Sequence, residues 1–240
     1  MNQAVFISDL HLHPLNTQIH QRFERFVDWA KTHTQSVYIL GDFIHVWAGD
    51  DLMDDYAFKV IKLLQSLHEA GVSVYFMPGN RDFLIGERFL KESHMIALKD
   101  PTVISLDGMR IYLTHGDRYC STDIAHQFLR FWTRNFWFKP LFLKFPARFR
   151  KSLVQSVRDY SQQKKKSARP FYPIDTPKLF KDMLAHQVMT TIYGHIHRMG
   201  HHVDQYNNLV FRRYILSDWE KNITILCYNF NKGLKFNYIE

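Results

Sequence analysis

Short apolar runs recur along this chain, and run after run stops on a side chain that can hold a metal. Ala4 to Ser8 leads into Asp9 and His11, Ser36 to Leu40 into Gly41-Asp42, and Val72 to Met77, through Pro78, into Gly79-Asn80-Arg81-Asp82. Met109 to Thr114 leads into His115-Gly116-Asp117, and Thr190 to Tyr193 into Gly194-His195-Ile196-His197. Runs this short, rich in β-branched and aromatic residues and bounded by Gly, Pro and Asn, predict strands. Two stripes at helical spacing, Ile19-Phe23-Phe26-Val27-Ala30 and Phe58-Ile61-Leu64-Leu67, predict core-facing helices between them. Strand character returns at Leu209 to Leu216, Asn222 to Phe230 and Leu234 to Ile239. The alternation predicts an α/β protein whose sheets are covered by helices. At 240 residues, 46% of them hydrophobic, the chain supports one sizeable core with room for an inserted subdomain.

Ligand sites of open α/β sheets lie at the carboxyl ends of strands, so the polar clusters can converge. Within Asp9-x-His11 and His195-x-His197, residues two apart on extended backbone would project the same way and deliver two ligands together. Asp9, Asp42 and Asn80 offer oxygen; His11, His115, His195 and His197 offer imidazole nitrogen. That mixed set suits Mn²⁺, Fe²⁺ or Zn²⁺ better than Ca²⁺ or a thiolate-seeking metal. It is too large for one ion and right for two that share a bridging carboxylate. A pair of ions so held serves phosphate-ester hydrolysis.

Residues 123–169 break the rhythm. They carry no strand run, are dense in aromatics, and hold twelve Lys or Arg against only Asp123 and Asp159. They are expected to form a helical cap inserted between core segments 1–122 and 170–240. Phe128, Phe131, Trp132, Phe136, Trp137 and their neighbours through Phe149 supply more apolar area than a connection needs. They would build either a small core for the insertion or an acyl-chain chamber whose flank, with Arg148, Arg150 and Lys151, rests on an anionic membrane.

The ordered motifs resemble those of the calcineurin-like metallophosphoesterases, whose fold is a sandwich of two mixed β-sheets flanked by helices. Gly79-Asn80-Arg81-Asp82-Phe83-Leu84-Ile85-Gly86 is similar, more closely, to the UDP-2,3-diacylglucosamine diphosphatase family of the lipid A pathway in Gram-negative bacteria. Trp47-x-Gly49-Asp50-Asp51, His115-Gly116-Asp117-x-x-Cys120 and Asp218-Trp219 carry the same resemblance. It implies Asp9, His11, Asp42 and His197 on one metal and Asn80, His115 and His195 on the other, with Asp42 bridging and Mn²⁺ as the usual ion. It implies catalytic roles for Asp42, Asn80, Arg81 and His115. Contacts to a lipid-linked UDP-sugar would come from Asn80, Arg81, Asp123, Ser161, Lys165 and His195. The family pattern Gly-Asp-x-x-Asp is broken here by Gly41-Asp42-Phe43-Ile44-His45, a family lysine falls on Ala168, and Ser217 replaces a glycine. His45 is expected to support the site rather than ligate, and His13, His201 and His202 to decorate surface loops.

The net charge of +8 favours anionic partners: phosphorylated metabolites, an acidic lipid surface or nucleic acid. Nucleic acid is not expected, because family members that act on it generally keep a histidine where Arg81 stands. Cys120 and Cys227 are too few for a disulfide framework, and Met1-Asn2-Gln3 runs straight into an apolar strand without a leader pattern. A cytoplasmic protein, peripheral on the inner membrane, is the expectation. A general phosphodiesterase or nucleotide pyrophosphatase, and a basic nucleic-acid-binding module with structural metal, stand as alternatives.

Overall fold

A computed structural model describes residues 1–167 and 173–239, with backbone only for 158–167. Two mixed sheets pack face to face. The first has the order β11-β10-β1-β2-β3-β4, formed by β1 (Ala4–Ile7), β2 (Ser36–Leu40), β3 (Ser73–Met77), β4 (Met95–Ala97), β10 (Ile223–Asn229) and β11 (Gly233–Ile239). The second has the order β5-β6-β7-β9-β8, formed by β5 (Thr102–Leu106), β6 (Met109–Leu113), β7 (Thr190–Tyr193), β8 (Gly200–Tyr206) and β9 (Leu209–Ile215).

Alternation along β1 shows how the layers arise. Ala4 and Phe6 turn inward and join Leu40, Met77, Ile111, Leu113 and Ile192 between the sheets. Val5 and Ile7 turn outward to meet Phe23, Phe26 and Val27 of α1 (Thr17–His33) and Val60, Ile61 and Leu64 of α2 (Asp55–Glu69). Burial on both faces explains why β1 and β2 are apolar without polar alternation. The outer face of the second sheet is covered by Leu179, Phe180 and Met183 of α7 (Thr176–Ala185), which pack on Tyr112, Tyr193 and Phe211. The layers run helix, sheet, sheet, helix, as the resemblance implied. The α1 stripe is buried as expected; on α2, Phe58 is exposed instead, and Ala57 and Val60 take the core positions.

Strands β1, β2 and β3 run parallel in one sheet, and β6 and β7 run parallel in the other. The polar exits of β1, β2, β3, β6 and β7 therefore share one rim of the sandwich. α3 (Glu87–Glu92) follows the β3 exit, its first turn held by Asp50, which accepts from Gly86 N and Phe89 N at 2.8 and 2.9 Å.

Residues 124–167 form α4 (Ile124–Thr133), α5 (Phe138–Phe142) and α6 (Ala147–Ser167). Among the described residues these helices build no apolar core of their own. Phe142, stacked on Phe138 at 5.4 Å, and Val154 pack into the core beneath α1 and α2, whereas Phe128, Phe131 and Phe136 are 66, 66 and 89% exposed. α4 docks by its polar stripe instead. Arg130 bridges Asp117 and Asp100 at 3.0 and 3.1 Å, Arg134 donates to the carbonyls of Pro78 and Gly79 at 3.0 and 2.8 Å, and Gln127 donates to Asp117 O at 2.8 Å. At the other end Arg150, 2% exposed, is bound to Asp51 and to the carbonyl of Ala48. No described helix is long and apolar enough to cross a membrane.

Candidate metal centre

At the shared rim the strand exits fold against each other. Asp9 N donates to Gly41 O at 3.0 Å and His11 N to Asp42 O at 2.9 Å, while Gly194 N donates to His115 O at 3.0 Å. The close approach depends on two glycines: a Cβ on Gly79 would lie 2.2 Å from Asp42 N, and one on Gly194 2.3 Å from Asp9 Oδ2. Asp9, His11, Asp42, His195 and His197 have φ of 58, 50, 53, 67 and 53°, all in the left-handed region. The expected extended backbone at Asp9-x-His11 and His195-x-His197 is therefore corrected. Turns bring these side chains together, because the exits hydrogen-bond to one another instead of continuing a ladder. Left-handed non-glycine residues cost about 1–3 kcal/mol each and persist where surrounding contacts over-determine them, which is common at functional sites.

The side chains converge. One donor atom each from Asp9, His11 and His197 lies within 4.8 Å of the others, and the same holds for Asp9, Asp42 and His115. Asp42 faces both groups, with Oδ2 3.9 Å from His11 Nδ1 and Oδ1 3.7 Å from His115 Nε2. Asn80 Oδ1 lies 3.1 Å from the same His115 nitrogen. His195 stands beside these groups, its ring 5.1 Å from that of His115, and its backbone N donates to Asp9 Oδ2 at 2.9 Å. Arg81 crosses the front of Asp42, with its N donating to Oδ1 at 2.9 Å and its Nε 3.3 Å from Oδ2.

These side chains fit divalent cations. His115 Nδ1 lies 2.8 Å from the Leu40 carbonyl, which can only accept, so in the neutral ring the lone pair is on Nε2 and faces Asp42 and Asn80. His197 Nδ1 makes the same bond to Asp218 Oδ2 at 2.8 Å and turns Nε2 towards Asp9 Oδ1 at 3.3 Å. Orientation of one ring nitrogen by an acceptor is how metal-binding histidines are held. Both ring nitrogens of His11 are buried without a hydrogen-bond partner, a costly state that a cation held between His11 and Asp9 would relieve.

Charge is distributed accordingly. Burial works against ionised Asp9, but the charge and hydrogen bond of His197 outweigh it and hold the carboxyl far below the usual range. Burial and then the charge of Arg81 push His11 well down, so it stays neutral. Burial and then His115 depress His195 to about 3. Burial opposes a charged His115 and a charged His197, yet Asp42 and Asp9 lift the first to about 9, and Asp9 and Asp218 lift the second to about 10. Binding of a metal through either of those two imidazoles would therefore release its proton. Asp82, raised to about 6 by burial and by Asp42, accepts from Phe43 N and Gly79 N at 2.6 and 2.7 Å and ties the β2 and β3 exits together.

Several side chains at this rim were not singled out by role in the sequence. Asp218 orients His197; Asp117 and Asp100 are joined by Arg130; His126 places its ring 5.5 Å from His195 and its Nε2 3.5 Å from Asp117 Oδ2. The available signal was a polar stripe at helical spacing, Asp123-His126-Gln127-Arg130-Arg134, directly after His115-Gly116-Asp117. Asp123 itself is the N-cap of α4, its Oδ1 accepting from His126 N at 3.2 Å. Ser161 and Lys165 fall outside the residues whose side chains are described, and Ala168 lies outside the described residues altogether. His201 and His202 are exposed but lie on strand β8, not on a loop as expected. Cys120 and Cys227 are buried, and burial pushes their thiols up to about 12 and about 11, as befits inert small residues.

No family model matches the chain. An archaeal phosphodiesterase of known structure aligns over 98% of both chains at 15% identity, with a TM-score of 0.48. Among curated proteins, the chain is 36% identical over 222 residues to the UDP-2,3-diacylglucosamine hydrolase of Pseudomonas putida, covering 90% of this chain and 91% of that protein. It is 35% identical over 221 residues to the protein of the same name in Marinobacter nauticus, covering 92 and 91%. The chain belongs to the UDP-2,3-diacylglucosamine hydrolase family.

Proposed function

We propose that this protein hydrolyses the pyrophosphate bond of UDP-2,3-diacylglucosamine, giving UMP and 2,3-diacylglucosamine 1-phosphate for lipid A synthesis. The observation that carries the chemistry is the convergence of Asp9, His11, Asp42, His115 and His197, with both ring nitrogens of His11 buried and unpartnered. The names and coverage of the relatives support the substrate. Asp9, His11, Asp42 and His197 would hold one ion and Asn80, His115 and His195 the other, with Asp42 shared and Mn²⁺ as the working metal. Bound there, the ions acidify a water and offset charge on the entering and leaving oxygens. Arg81, fixed against Asp42, presents a guanidinium to the non-bridging phosphate oxygens. Asp218 and the Leu40 carbonyl hold His197 and His115 in the tautomers this role needs.

Residues 123–169 act in this reading as a cap with two faces. The polar stripe of α4 closes over the rim, and its aromatic face, left bare, meets acyl chains and an anionic inner-membrane surface from the cytoplasmic side. Asp123, Ser161 and Lys165 would contact the sugar-phosphate part of the substrate. UDP-2,3-diacylglucosamine and UDP-N-acetylglucosamine, supplied at equal concentration with Mn²⁺, separate a lipid enzyme from a general nucleotide pyrophosphatase. Release of UMP from the diacylated substrate alone is expected; equal rates on both would defeat the lipid assignment.

A further inference from the structure

We propose that His45 is the positioning residue for Arg81, aiming its guanidinium at the phosphate without cancelling its charge; the inference rests on the hydrolase reading above. A guanidinium carries its donors in a rigid planar fork, so its direction matters as much as its presence. The Arg81 side chain is 11% exposed, with Nε 3.3 Å from Asp42 Oδ2 and a terminal nitrogen 3.1 Å from His45 Nδ1. Arginine has no acceptor, so His45 Nδ1 accepts, and the ring hydrogen sits on Nε2. The imidazole in this contact is therefore neutral.

His45 is itself well held. Its backbone N donates to Leu12 O at 3.0 Å, beside the bridge that pairs Leu12 with Ile44. Its ring stands edge-on to those of His13 and His11, at 5.1 and 6.2 Å. The exits of β1, β2 and β3 thus meet at one side-chain pair: the first two fix the imidazole, and the imidazole fixes the arginine delivered by the third. A carboxylate at position 45 would hold the guanidinium equally well, but it would set a second anion against it besides Asp42. A neutral acceptor orients the cation and leaves its charge for the substrate.

The test measures kcat and KM for His45→Ala, His45→Asn and His45→Asp, with His45→Ala repeated in an Arg81→Ala background. Bound Mn²⁺ and melting temperature are recorded for each. His45→Ala should lose about tenfold in kcat/KM, the scale of one hydrogen bond to a charged group. His45→Asn, whose amide oxygen falls near the place of Nδ1, should recover most of that loss, and His45→Asp should keep kcat while raising KM. In the Arg81→Ala background the same His45→Ala change should cost less than about twofold, because the group it orients is gone. Losses that multiply in the double variant, or a His45→Ala enzyme with unchanged kcat/KM, overturn the proposal. A wild type that hydrolyses nothing refutes the function instead. The pair is then decided by ¹⁵N spectra of the imidazole, where a lone pair on Nδ1 whose resonance moves in Arg81→Ala upholds it and a hydrogen on Nδ1 overturns it.

Discussion

The rim and the cap are unfinished in opposite ways. At the rim, polar atoms are buried without partners: both ring nitrogens of His11 lie out of water with nothing to bond. On the inserted helices, apolar groups are left in water: Phe128, Phe131 and Phe136 are 66, 66 and 89% exposed. Burying an unpaired polar atom and exposing a contiguous apolar face are both unfavourable, so each marks a place where something else completes the structure. In the proposed function a cation would complete the first and the substrate's acyl chains the second. α4 lies between them, with its polar stripe on the rim and its aromatic face outward, so the proposed function makes both parts of one substrate site.

The comparison breaks most readily at the rim. Asp42→Ala removes the carboxylate that faces both His11 and His115, and turnover should fall by on the order of 1000-fold or more, a loss of several kcal/mol of charge stabilisation. Steady-state assays with saturating Mn²⁺ check this, and Asn80→Ala should behave alike. Near-normal rates in either variant would remove the two-metal account. The cap should give a smaller and differently placed effect. Replacing Phe128, Phe131 and Phe136 by Ser should raise KM for a vesicle-borne diacylated substrate by about tenfold while leaving the melting temperature nearly unchanged, since exposed side chains add little to stability. A large drop in melting temperature would mean instead that these rings form a core.

Much of this was legible in the sequence because it is local. A β-strand announces itself by its own apolar run, and the residue that ends it is next in line, so Asp9, Asp42, Asn80, His115 and His195 could be placed at strand exits from order alone. The strands that escaped notice, β4, β5 and β8, are all sheet edges. Met95–Ala97 is short, and Gly200–Tyr206 reads Gly-His-His-Val-Asp-Gln-Tyr; each becomes a strand only through its pairing with β3 or β9, which no local pattern announces. The geometry inside the site was hidden for the same reason. Positive φ at Asp9, His11, Asp42, His195 and His197 is imposed by hydrogen bonds between exits distant in sequence. The orientation of α4 ran against the usual rule: its aromatic face is outward and its arginines inward, because Asp117, Asp100 and the carbonyls of Pro78 and Gly79 give those arginines buried acceptors. An amphipathic pattern states that two faces differ, and the surface it meets decides which one is buried.

The most direct test of the central claim is an anomalous diffraction map of crystals grown with Mn²⁺. Two peaks with the Asp42 carboxylate between them are predicted, one against Asp9, His11 and His197 and the other against Asn80, His115 and His195. No peak at saturating Mn²⁺, or a single ion that Asp42 does not touch, would contradict it.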